Sequence, residues 1–91
     1  MIKSFRSKAL KLCWDNDDCM KLPPAMLNKI RWLLQAIDSA QIVPDELSYC
    51  DIHSLKGNYK DHWSVKVNRN YRIVFIFMKG HAYDVDYIDY H

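Results

Sequence analysis

Two glycines and three prolines in 91 residues leave little room for a glycine-rich loop, a collagen-like repeat or a flexible linker. No P-loop, GxGxxG, CxxC or HExxH occurs, so the chain lacks the common signatures of nucleotide, dinucleotide, redox and metalloprotease sites. Long apolar runs are also missing. The longest, Ile73 to Met78, is far short of the roughly 20 residues that cross a bilayer. Charge interrupts the opening MIKSFRSKALK every few residues, so no signal-peptide core is expected there. The three cysteines, Cys13, Cys19 and Cys50, lack paired spacing. Free, partly buried thiols in a reducing cytoplasm are therefore expected, with no disulfide framework. A zinc site assembled from Cys50, His53 and the other two cysteines would lack the usual two close ligand pairs. No metal, cofactor or membrane contact is expected.

What the chain does have is apolar and aromatic mass: 49% hydrophobic and 13% aromatic residues. One small domain over residues 1–91 follows, burying roughly 60–65% of its unfolded surface. Net charge is only +2, yet its distribution is uneven. Lys3, Arg6, Lys8 and Lys11 form one acid-free run, and Lys66, Arg69, Arg72 and Lys79 another. The acids gather at Asp15, Asp17 and Asp18, at Asp45, Glu46 and Asp51, and at Asp84, Asp86 and Asp89. Such segregation fits either a basic face for nucleic acid or ordinary solvated surfaces.

Met26, Ile30, Leu33, Leu34 and Ile37 recur at helical spacing, predicting an amphipathic helix from Pro23 to about Ala40. A shorter helix is predicted over Arg6 to Trp14, with Ala9, Leu10, Cys13 and Trp14 inward. The last third reads as strands. Trp63, Val65 and Val67 alternate with Ser64 and Lys66. Asn68-Arg69-Asn70 is a turn, ascribed to asparagine's tolerance of left-handed backbone. Tyr71 to Met78 is apolar at both parities, as a central strand is. After Lys79-Gly80-His81, the strand Ala82 to Ile88 is expected to put Tyr83, Val85 and Tyr87 on one face. With residues 1–5 as a possible further strand, the fold expected is α+β, in the order β-α-α-β-β-β. The helices cover one sheet face, and the other is open to a partner or substrate.

Arg72 is then either a strand-end charge reaching water or a cation held over the open face. His53 and Lys56, from HSLKG, approach the sheet, and Asp89, Tyr90 and His91 end it. Together these residues suit metal-free cleavage of an RNA phosphodiester. That reaction needs a base for the 2′-hydroxyl, cations for the charge on phosphorus and an acid for the leaving 5′-oxygen.

The opening MIKSF, the stretch H-x-LKG-x-x-K-x-x-W-S-V-x-V, the strand N-Y-R-I-V-F and the closing YDVDYIDYH resemble the HigB toxins of the RelE superfamily. These are messenger-RNA interferases of type II toxin–antitoxin systems. The resemblance implies a RelE-like fold and ribosome-dependent, metal-independent cleavage of mRNA in the A site. It implies catalytic roles for His53, Lys56, Arg72, Asp89, Tyr90 and His91. His91, with Asp89, would be the acid–base pair, while Lys56 and Arg72 hold the phosphate. Lys3, Arg6, Lys8, Lys66 and Arg69 would bind ribosomal RNA. The partners implied are a HigA-like helix-turn-helix antitoxin, the 70S ribosome and mRNA, with operator DNA met only through the antitoxin. Ser54 stands where the family usually has proline, and Tyr71 where it has tryptophan. The alternatives are a non-catalytic RNA- or ribosome-binding module and an inactive toxin kept as an antitoxin partner.

Overall fold

The computed structural model describes residues 1–90, so His91 lies outside the described residues. Helix α1 spans Lys8–Asn16, starting where Ser7 Oγ accepts the Leu10 N–H at 3.1 Å. Helix α2 spans Leu27–Ser39, entered through a single tight turn, Pro24–Met26. Its stripe of Ile30, Leu33, Leu34 and Ile37 is fully buried, as the periodicity requires. Each such side chain contributes about 1.5–3 kcal/mol by leaving water.

Four antiparallel strands follow in the spatial order β1-β2-β3-β4: His53–Ser54, Trp63–Lys66, Tyr71–Met78 and His81–Asp89. Val65, Ile73, Phe75 and Val85 face the helices and form one core with the α2 stripe, Leu10 and Cys13. The first five residues do not make a continuous strand. They run parallel along the β4 edge as two bridges, Ile2 to Ala82 and Phe5 to Val85. No helix among the described residues is long and apolar enough to cross a membrane.

Three sequence expectations need correction. Cys13 and Cys19 are joined in a disulfide, and only Cys50 is free and buried. Asp17 takes a left-handed backbone at the end of α1, and the Asp18 N–H returns to the Leu12 carbonyl. That reversal folds Cys19 back onto the last turns of α1, which spacing alone does not reveal. The bonded pair also removes two of the thiols that a zinc site would have used.

The second correction concerns β4. Tyr87 pairs with Ile73, but Tyr83 pairs with Ile76, of opposite parity on β3. A β-bulge at Asp84, whose φ is 54°, inserts an extra residue, so Tyr83 leaves the face that Tyr87 and Val85 share. The third concerns the turn after β2. It forms where expected, yet neither of its asparagines is left-handed. Instead, Asn68 Oδ1 accepts the N–H groups of Asn70 and Tyr71 at 3.0 and 2.9 Å. Lys79 and Gly80, at φ 52° and 83°, form the two-residue turn between Met78 and His81. Two consecutive positive φ values match the twist of a tight hairpin, and Gly80 adopts its share without strain.

Candidate active site

The face of the sheet turned away from the helices carries the polar residues. Pairing fixes which ones meet: His53 opposite Ser64, Ser64 opposite Val74, and Lys66 opposite Arg72. Residues directly opposite share a face, as do residues two apart on a strand. His53, Ser64, Lys66 and Arg72 are therefore neighbours, drawn from three adjacent strands.

Arg72 is the most firmly held of them. Its side chain is only 13% exposed. Nε donates to Ser64 Oγ at 2.7 Å and Nη2 to the Asp51 carbonyl at 2.6 Å. Ser64 is wholly buried, so the serine hydroxyl serves the guanidinium and not solvent. Of the two sequence readings of Arg72, the structure selects the cation held over the sheet face.

Asp51 is the member that sequence reading missed. It ends the short helical stretch Asp45–Cys50 with a left-handed backbone, φ 52° and ψ 53°. That turn delivers His53 to the edge of β2. The Asp51 carboxylate then lies between the two functional groups: Oδ1 is 2.8 Å from His53 Nε2, and Oδ2 is 3.9 Å from Arg72 Nη1. The His53 hydrogen bond holds its pKa below the usual aspartate value; desolvation opposes this, and the Arg72, His53 and Lys66 charges reinforce it. The only signals in the sequence were the D-x-H spacing and the polar position of Ser64 on its strand.

The other expected residues are placed as follows. Lys56 is exposed, between the buried Leu55 and Gly57. Gly57 has φ 69°, so the chain turns sharply just after the lysine. Asp89 pairs with Tyr71, one step along from Arg72 and at the opposite parity. Tyr90 is half exposed, and its N–H donates to the Asn70 carbonyl at 2.6 Å. Tyr90 is thereby docked beside the start of β3. Arg69 is exposed in the turn of residues 68–70. Lys3, Arg6 and Lys8 are exposed along the far edge, where the Lys3 and Arg6 N–H groups bond to Ala82 and Val85 of β4. The fold gathers His53, Lys66 and Arg72. It leaves Lys3, Arg6 and Lys8 across β4 from that group.

No three His, Cys, Asp or Glu side chains among the described residues are grouped to hold a metal ion. The arrangement offers an oriented guanidinium, a lysine and an imidazole on one sheet face. Arginine presents paired donors to a phosphate, and imidazole exchanges protons near neutral pH.

Residues 3–91 match the family described as RelE-like toxin of type II toxin-antitoxin system HigB. The chain is 39% identical over 92 residues to Endoribonuclease HigB of Proteus vulgaris, covering all of both proteins. Among solved structures, YafQ from E. coli strain BL21(DE3) superposes with a TM-score of 0.60 at 16% identity. That match covers 98% of this chain and 91% of YafQ. The YoeB–YefM complex from Staphylococcus aureus gives a TM-score of 0.60 at 22% identity, over 100% of this chain and 98% of that one. These distant likenesses establish the RelE-type fold. Family match and full-length homology together place the chain in the HigB-like family of RelE-like type II toxins, as a homologue of an endoribonuclease.

Proposed function

We propose that this toxin is an endoribonuclease that stops translation by cutting mRNA in the ribosomal A site, acting as one domain over residues 1–91. The observation that supports this reading best is the anchoring of Arg72. A buried serine and a backbone carbonyl fix its guanidinium on the open sheet face beside His53 and Lys66. A cation held this way stabilises charge developing on phosphorus without reorganising during the reaction.

In the reaction, a base takes the proton of the 2′-hydroxyl and the 2′-oxygen attacks phosphorus. The bond to the 5′-oxygen breaks, and an acid returns a proton to that leaving oxygen. The products are a 2′,3′-cyclic phosphate and a 5′-hydroxyl. Arg72 and Lys56 neutralise the phosphate. The acid–base work falls to His91 with Asp89, and His53 shares it or orients substrate, while Tyr90 positions a base by stacking or through its hydroxyl. Lys3, Arg6, Lys8, Lys66 and Arg69 bind ribosomal RNA, a contribution that weakens with salt.

Family membership makes a cognate antitoxin the expected partner, and the solved relative in complex with YefM is consistent with that. We assign that role to a HigA-like helix-turn-helix protein, which also carries the contact with operator DNA. The cytoplasm is where both partners and ribosomes are met.

Inducible expression tests the reading. Wild-type protein arrests growth, and the neighbouring antitoxin reading frame relieves the arrest. Arg72→Ala or His91→Ala reduces cleavage on programmed ribosomes about 10²–10³-fold, read by primer extension. A folded double variant with full toxicity overturns the assignment.

A further inference from the structure

The proposed mechanism gives Asp51 no role, yet its carboxylate lies between two of the groups that the mechanism assigns to substrate. We propose that Asp51 is a resident anion: its carboxylate fills the position between His53 and Arg72 that a substrate phosphate takes, and RNA binds by displacing it. The inference rests on the reading of this face as the phosphate site, and it names a residue that governs substrate affinity there.

Three observations carry it. The two carboxylate oxygens divide between the two groups, Oδ1 toward His53 Nε2 at 2.8 Å and Oδ2 toward Arg72 Nη1 at 3.9 Å. A bridging phosphate would divide two of its oxygens in the same way. Lys66 pairs with Arg72 on the same face. The carboxylate is thus met from β1, β2 and β3, and the His53 hydrogen bond, with the Arg72 and Lys66 charges, favours its ionised form.

Secondly, Arg72 does not depend on that carboxylate for its position. Ser64 Oγ and the backbone carbonyl of Asp51 already hold Nε and Nη2. The side chain of Asp51 can leave while its backbone keeps the guanidinium in place. Thirdly, the carboxylate is 50% exposed, so it can swing into water when a substrate phosphodiester arrives. An isolated RNA then competes with an anion that is already tethered. A substrate held by further contacts supplies the energy to displace it.

The test uses the purified full chain and a short, uncleavable 2′-O-methyl RNA, with binding followed by fluorescence anisotropy at fixed salt. Asp51→Asn keeps the acceptor oxygen for His53, and asparagine adopts the left-handed backbone readily. Only the charge is removed. Asp51→Asn is expected to bind the RNA about tenfold tighter than wild type. Asp45→Asn, with the same change in net charge at the exposed start of the Asp45–Cys50 stretch, stays within about twofold. The tightening disappears when Arg72→Ala is added. Equal or weaker binding by Asp51→Asn, an equal gain from Asp45→Asn, or a gain that survives Arg72→Ala overturns the inference. If Arg72→Ala leaves binding unchanged in both backgrounds, the phosphate is not bound at this face. The reading of the site then falls together with the inference. A loss on Arg72→Ala with no gain from Asp51→Asn overturns the inference alone.

Discussion

Ser64 Oγ accepts a hydrogen bond from Arg72 Nε at 2.7 Å, diagonally across β2 and β3. The hydroxyl is fully buried, and a hydrogen bond to a charged group contributes about 1.5–3 kcal/mol. Replacing Ser64 by Ala leaves the Asp51 carbonyl as the remaining strong anchor of the guanidinium. The expected result is a 10- to 100-fold loss in the single-turnover cleavage rate, with little change in RNA affinity. A rate within about twofold of wild type would show that one anchor suffices.

Acid stability should depend on two carboxylates. Glu46 accepts the N–H groups of Gln41 and Ile42 at 2.7 and 3.2 Å, which lowers its pKa from 4.5. Asp51 is lowered from 3.8, first by His53 and then, against desolvation, by the nearby cationic groups. A depressed folded-state pKa gives stability that is complete above the unfolded value and is lost as pH falls through the folded one. The urea midpoint should therefore fall on acidification below about pH 4.5. Glu46→Gln should start lower near neutral pH and converge with wild type in acid. Parallel curves would mean that Glu46 takes no part.

Asp84 makes the β4 bulge and also ties down the N-terminal segment. Its φ is 54°, and its N–H donates to Ser4 Oγ at 2.9 Å. A β-branched residue is strained in that backbone, by roughly 1–2 kcal/mol. Asp84→Val is expected to cost about 2 kcal/mol in guanidinium unfolding, and Asp84→Gly less than half of that. Similar losses in the two variants would show that backbone conformation does not set the cost.

The Cys13–Cys19 bridge closes a loop with a sequence separation of 6. Loop entropy for so short a closure gives about 2 kcal/mol. Reduction, or replacement of both cysteines by serine, should lower the thermal midpoint by about 10 °C. The Arg31–Asp17 ion pair, at 2.7 Å, ties this loop to α2 and should remain. A midpoint insensitive to reductant would show that this short loop is held without the bond.

Much of the fold was legible because its causes lie within a few residues. The stripe of α2 needs only a spacing of three and four. The central character of β3 shows in apolar residues at both parities, and the turn expected at Lys79-Gly80-His81 forms at its first two residues, with His81 already in β4. The bulge at Asp84 was not legible, since both registers keep apolar residues at acceptable positions and only pairing with β3 decides between them. The disulfide was hidden for a similar reason: a left-handed Asp17 reverses the chain, and nothing in the cysteine spacing records that reversal.

The candidate site divides the same way. His53, Lys56 and Arg72 were legible as residue types that handle phosphate and protons, and the motifs carrying the family resemblance contain them. Ser64 lies in one of those motifs and Asp51 two residues before His53, but neither position records a role, because the roles exist only through contacts with Arg72 and His53 made across the sheet. By itself the sequence determined the two helices and the strand meander after them, the core stripe, the family and the chemistry of the available side chains. The tertiary structure decided which of them meet, by setting His53 opposite Ser64 and Lys66 opposite Arg72. A slip of one residue in either pairing would send those side chains to opposite faces. Register is a cooperative property of the whole sheet, and no local stretch of chain contains it.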